Sequence, residues 1–189
     1  MVSWSLVLAY HGCDRSLADK VIAAGQGLRP SSNEWDWLGH GLYFWEDSHD
    51  RALRWAQDAS KTNPSTVKKP AVVGAVIDLG NCLNLVDSKT LGLVKAAHAE
   101  YVKICQTAGT PLARNRGPDL RARYLDCAVM ETLHKLRERT KLEPFDTVRG
   151  FFVEGKELYP GAGLRELDHI QICVRSPRQI MGYFKPRNF

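Results

Sequence analysis

The chain has 189 residues, 44% of them hydrophobic and 25% charged, with a net charge of +5. That length predicts one domain burying about 70% of its unfolded surface, and the balance excludes a disordered or collagen-like chain. The mild basic surplus suits an anionic partner such as a nucleotide or nucleic acid, or simply surplus surface lysines. Five scattered cysteines without a CxxC argue against a disulfide scaffold or zinc ribbon and for reduced thiols in the cytoplasm.

In chain order, the apolar run Val2 to Tyr10 predicts a strand, not a signal peptide, because it lacks a cationic flank. Ser16 is placed to cap a short helix with Leu17, Val21 and Ile22 inward and Gly25 at its end. "GQGLRPSSNEWDW" reads as loop. Gly41 to Trp45 is a second strand. Asp47 or Ser48 then caps a helix with Ala52, Trp55, Ala56 and Ala59 on one face.

"SKTNPSTVKKP" is a polar loop, "AVVGAVIDL" a strand and "CLNLVD" a short extended piece. Leu91, Val94, Ala97 or His98, Tyr101 and Ile104 mark a helix from Ser88 to about Gln106. A second long helix is expected from Asp119 to about Thr140, with Leu120, Tyr124, Cys127, Met130, Leu133 and Leu136 inward. "TVRGFFVEG", "HIQICV" and "QIMGYF" complete the strands. Strands at both ends with helices between, and no regular βαβ alternation, predict an α+β fold with mostly antiparallel pairing. No apolar run approaches the roughly 18 residues that span a membrane.

The usual phosphate cradles, GxxxxGK[ST] and a strand-linked GxGxxG, are missing, as is a GxSxG elbow. Glu131 and His134 share the ExxH spacing of di-iron bundles but occur once, so they read as a surface turn of a helix. His98 has no second ligand one turn on, and no metal site is expected. What stands out is polar and small residues beside strands: His11 and Gly12, then Gly39, Gly41 and Tyr43. Gly12 would leave backbone amide and carbonyl groups open to a flat polar ligand. In "HIQICV", Ile170, Ile172 and Val174 share one face and His169, Gln171 and Cys173 the other, so Gln171 is expected to face a cleft.

"YHG", "VIAAGQGL", "GHGLYFWEDSHDRALRWA" and the closing "QICVRSPRQIMGYF" together resemble the diphtheria-toxin-like and poly(ADP-ribose) polymerase-like ADP-ribosyltransferases, in a bacterial branch linked to toxins and phage defence. Lys61 to about Thr147 has no match to those enzymes. The resemblance implies split antiparallel β-sheets around an NAD cleft, with extra helices in the middle of the chain. It further implies that His11 bonds a ribose hydroxyl and that the Gly12 backbone holds the nicotinamide carboxamide. Gly41 would line the cleft. Tyr43 would stack on the nicotinamide ring, worth about 0.5–1.5 kcal/mol beyond burial, and Trp55 would supply the opposite wall. Gln171 falls where the family carries a catalytic Glu.

The implied activity is transfer of one ADP-ribose from NAD to a protein or nucleic-acid acceptor, with a cognate antitoxin as a further partner. Glu154, Glu157, Glu166 and Asp168 are candidates for a substitute loop carboxylate. Arg149 and Arg165 are candidates for the diphosphate or an anionic acceptor. Gln171 in place of Glu keeps open a non-catalytic NAD- or ADP-ribose-binding module, and an NAD glycohydrolase is a further alternative. The fold's RNA 2′-phosphotransferase relatives need a basic pocket of several Arg and His residues that the sequence does not reveal.

Overall fold

In the computed structural model, residues 5–24 and 27–187 are described. One mixed sheet of seven strands forms the middle of the molecule: β1 (Leu6–Asp14), β2 (Leu42–Glu46), β3 (Pro70–Asp78), β4 (Cys82–Asn84), β5 (Thr147–Phe152), β6 (His169–Val174) and β7 (Ile180–Phe184). Their order is β4-β5-β6-β2-β1-β3-β7. Only β4 and β5 run parallel; every other neighbouring pair is antiparallel. The α+β class expected from the sequence therefore holds.

The sheet is unevenly knit. β1 and β3 pair over their whole length, from Leu6↔Asp78 to Asp14↔Pro70. β1 and β2 pair only at Ala9↔Glu46 and Tyr10↔Trp45. Beyond Tyr10 the two strands part, while β2 continues its ladder with β6 from Trp45↔Gln171 to Leu42↔Val174. The seam beside His11 and Gly12 thus follows the shortest ladder in the sheet and is the place where a gap can open.

Among the described residues, four helices cover the sheet: α1 (Arg15–Ala24), α2 (His49–Thr62), α3 (Ser88–Ala108) and α4 (Tyr124–Arg139). α1 buries Ala18 and Val21 against Ala9, Phe44, Val73, Ile77 and Ile172 on one face. On the other face α2 packs Ala52 against Trp45 and Val72. Across the seam on that same face, Met130 and Leu133 of α4 pack with Leu38, Leu83, Val148 and Cys173. α2 and α4 thus cover separate halves of one face, with the seam between them. Among the described residues no helix is long and apolar enough to cross a membrane. All five cysteines are free, and four of them are buried.

Several sequence expectations are corrected. The first strand runs on through Asp14, so His11 and Gly12 lie inside it; Val2 to Trp4 fall outside the described residues, as does Gly25. Asp14, not Ser16, caps α1: its carboxylate accepts from the Ser16 amide at 2.9 Å and the Ser16 hydroxyl at 2.7 Å. It also takes the Lys68 and Lys69 amides at 2.8 and 2.9 Å. Those bonds, led by Lys69, hold its carboxyl well below the usual range. Leu17 is exposed, and the small Ala18 takes the inward place. Ser48 stands at the cap of α2 but makes no side-chain capping bond.

α3 lies at the periphery and buries only Ala97 and Cys105, leaving Leu91 and Ile104 exposed. α4 begins at Tyr124. Pro118–Leu120 form a separate 3-10 turn in which Leu120 adopts φ +54° and is exposed.

Candidate functional site

A cavity of about 600 Å³ opens where β1 and β2 part. His11, Gly12, Gly41, Tyr43, Trp55 and Gln171, to which the sequence resemblance assigns the NAD contacts, all lie in its wall. A second cavity of about 370 Å³ meets it at His11, Gly12, Trp55 and Thr66. The cleft therefore has two lobes that share the seam.

His11 fills the gap where the ladder stops. Its Nδ1 lies 2.8 Å from the Tyr43 carbonyl oxygen. A carbonyl only accepts, so Nδ1 carries the proton and Nε2 of the neutral ring is left as an acceptor. Burial lowers the His11 pKa, against the opposing pull of the Tyr43 carbonyl, so the neutral ring is favoured. The side chain thus replaces a missing strand bond and offers one lone pair, suited to a ligand hydroxyl.

Gly12 has a packing reason the sequence did not reveal. A Cβ at this position would lie 2.2 Å from the Ala52 carbonyl oxygen and 3.2 Å from Cε3 of Trp55. Glycine is what lets α2 press directly onto β1. Close approach also governs Gly41, where a Cβ would lie 2.6 Å from both Cys173 Sγ and the Val174 carbonyl oxygen.

Tyr43 lines the cavity with its hydroxyl tied back: it donates to the Gly39 carbonyl at 2.8 Å and accepts from the Leu38 amide at 3.0 Å. Burial pushes its pKa far up, so the phenol stays neutral. The ring is fixed before any ligand arrives. Trp55, 42% exposed, stands on α2 with its ring centroid 5.9 Å from that of Trp45.

Gln171 lies in the cavity wall, as its strand alternation predicted. Its Oε1 accepts from Trp37 Nε1 at 2.6 Å. An indole N–H can only donate, so the carboxamide's orientation is set by chemistry. Trp37 lies close over Gly150, where a Cβ would come within 2.6 Å of its ring. Trp37 belongs to a stretch read from the sequence only as loop. The closing tryptophan of "EWDW" was the available signal that this loop turns inward.

The loop carboxylates separate clearly. Glu154 lines the cavity, where it pairs with Arg51 and Arg121. Glu157, Glu166 and Asp168 do not line it. Asp168 instead ties the loop, accepting from the Glu154 amide at 3.0 Å and the Arg165 amide at 2.9 Å. Arg149 is engaged elsewhere, holding Glu46 at 2.5 and 2.8 Å through Nε and Nη2. Neither Arg149 nor Arg165 lines the cavity; the arginines that do are Arg29, Arg51 and Arg121. None of those three was singled out from the sequence, because distant loops and α2 bring them together.

Behind the wall, Glu131 braces the Gly39–Gly41 turn. Its Oε1 accepts from the His40 amide at 2.8 Å and from Arg175 at 3.0 Å, and Arg175 also donates to the His40 carbonyl at 3.0 Å. Burial opposes ionisation, yet the His40 amide and Arg175 hold the Glu131 carboxyl below its ordinary value. Glu131 and His134, expected on a helix surface, thus face inward, and His134 is buried. α4 is covered on this side by the turn and the sheet.

The chain is similar to an uncharacterized protein of Methanocaldococcus jannaschii, 27% identical over an alignment of 198 positions that covers 95% of this chain and 87% of the relative. No protein-family model and no solved structure matches it.

Proposed function

We propose that this chain is an NAD-dependent mono-ADP-ribosyltransferase, with the two-lobed cleft at the β1–β2 seam as its NAD site. One observation carries the reading: the His11–Gly12 pair, Tyr43 and Gln171, from three separate stretches of the sequence, converge on one cavity. On this reading the two halves of the sheet, parted beyond Tyr10, form the split sheets around the dinucleotide. His11 Nε2 accepts from a ribose hydroxyl. The Gly12 backbone holds the carboxamide. The fixed Tyr43 ring and Trp55 flank the nicotinamide, and Gly41, in the same wall, lets its turn pack tightly against Cys173 and Val174.

The bond from ribose C1′ to the nicotinamide nitrogen breaks through an oxocarbenium-like transition state. Its electron pair goes to the ring nitrogen, and nicotinamide leaves neutral. The acceptor's lone pair forms the new bond to C1′, and its proton passes to water. The chain must orient the ring, exclude competing water and stabilise positive charge on the ribose. Gln171 supplies a neutral dipole for that last task. Its carbonyl keeps one lone pair beyond the bond to Trp37.

A second reading, a non-catalytic NAD- or ADP-ribose-binding module, draws on the same wall. Gln171 is uncharged, and both carboxylate oxygens of Glu154 are already engaged, by Arg51 and Arg121. Incubation with labelled NAD, alone and with cell lysate or total nucleic acid, separates the readings. Transfer predicts label on a macromolecule, with sharp loss of turnover in Tyr43→Ala and Gln171→Ala. Free ADP-ribose alone would mark a glycohydrolase. NAD binding without any nicotinamide release would leave the binding module.

A further inference from the structure

We propose that the acceptor is a single-stranded nucleic acid, laid across a rim of exposed aromatic rings and guanidinium groups at the cavity mouth. This rests on the transferase reading above and names its substrate class.

The rim begins at Trp35, which lines the cavity yet is 50% exposed. Its ring meets Tyr124 edge-on at 6.1 Å, and the Arg116 guanidinium lies 5.7 Å over that Tyr124 ring. Arg121, with its side chain 48% exposed, lines the cavity beside Arg51. A single carboxylate, Glu154, serves both of these arginines, so the pair keeps a net positive charge.

The same wall has hydrogen-bond donors to spare. Trp45 Nε1 and Arg51 Nε are buried with no partner among the described residues, and both residues line the cavity. Buried donors without acceptors are costly, and surplus donors beside surplus positive charge fit an anionic oxygen. Guanidinium groups beside the exposed rings of Trp35 and Trp55 fit phosphates and bases together: cations follow the backbone while bases stack on aromatic side chains. A duplex hides its base faces, so the strand must be single. An acidic peptide would answer the charge but leave the indole face of Trp35 without a flat partner.

The test uses the full chain, a fluorescent mixed-sequence single strand of DNA or RNA, and a duplex of the same sequence. Anisotropy should show tighter binding of the single strand, with log affinity falling linearly with log salt. Trp35→Ala and Arg121→Gln should each weaken it, the former by roughly five- to hundredfold, while Trp35→Phe retains it. Labelled NAD should then mark the strand.

Equal binding of duplex and single strand, no effect of Trp35→Ala, or label confined to protein in a lysate would overturn the proposal. The transferase reading is tested separately by NAD binding and nicotinamide release. A chain that releases nicotinamide but ignores the strand loses only the acceptor assignment. One that binds the strand but never NAD loses the transferase reading.

Discussion

Gln171 shares its carbonyl oxygen with the Trp37 indole at 2.6 Å, and that bond bears on what a carboxylate would do in its place. A glutamate could accept the same indole proton and still present negative charge to the ribose. Hydrogen bonds to charged groups are worth about 1.5–3 kcal/mol against roughly 0.5–1.5 for neutral ones. Gln171→Glu should therefore speed nicotinamide release about tenfold, read in single-turnover assays with labelled NAD. An unchanged or slower rate would mean that Gln171 does not face the reacting ribose. Trp37 itself escaped the sequence reading, because an aromatic in a polar loop carries no periodicity to say where it points.

Packing of α2 on β1 depends on one missing side chain. With the Ala52 carbonyl oxygen only 2.2 Å from where a Gly12 Cβ would sit, Gly12→Ala must push α2 outward or bend the strand. Overpacking of this kind costs about 1–3 kcal/mol, and it would carry Trp55 away from the seam. The expected result is a lower urea midpoint together with weaker NAD binding. A variant with unchanged midpoint would show that α2 yields freely. The strand, helix and loop types of most elements were legible from hydrophobic alternation and helical spacing. Helix faces were less so: Leu91, Ile104 and Leu120 fit the helical pattern but are exposed, since α3 lies at the edge and Leu120 precedes α4.

Over the whole molecule, buried neutral histidines tie stability to pH. Burial lowers the pKa of His11, His134 and His169, that of His134 from 6.5 to about 3. Below pH 6.5 the unfolded chain takes up a proton at His134 that the fold refuses. The stabilisation is thus fully present above 6.5, is lost progressively as pH falls, and is gone by about pH 3. The depressed carboxyls Asp14 and Glu131 act only below their ordinary values of 3.8 and 4.5. Urea midpoints should therefore already decline between pH 6.5 and 4.5, and the slope should shrink in His134→Gln. A flat wild-type profile over that window would contradict the buried neutral state.

The sequence by itself determined the α+β class and singled out His11, Gly12, Gly41, Tyr43 and Gln171, because side-chain alternation and short motifs are local properties of a chain. Only the tertiary structure decided that β1 and β2 part after Tyr10, that Trp37 holds Gln171, and that Glu154 rather than its loop neighbours enters the cavity between Arg51 and Arg121. Those features join residues far apart in the chain. They follow from which elements pack together, which no local pattern encodes.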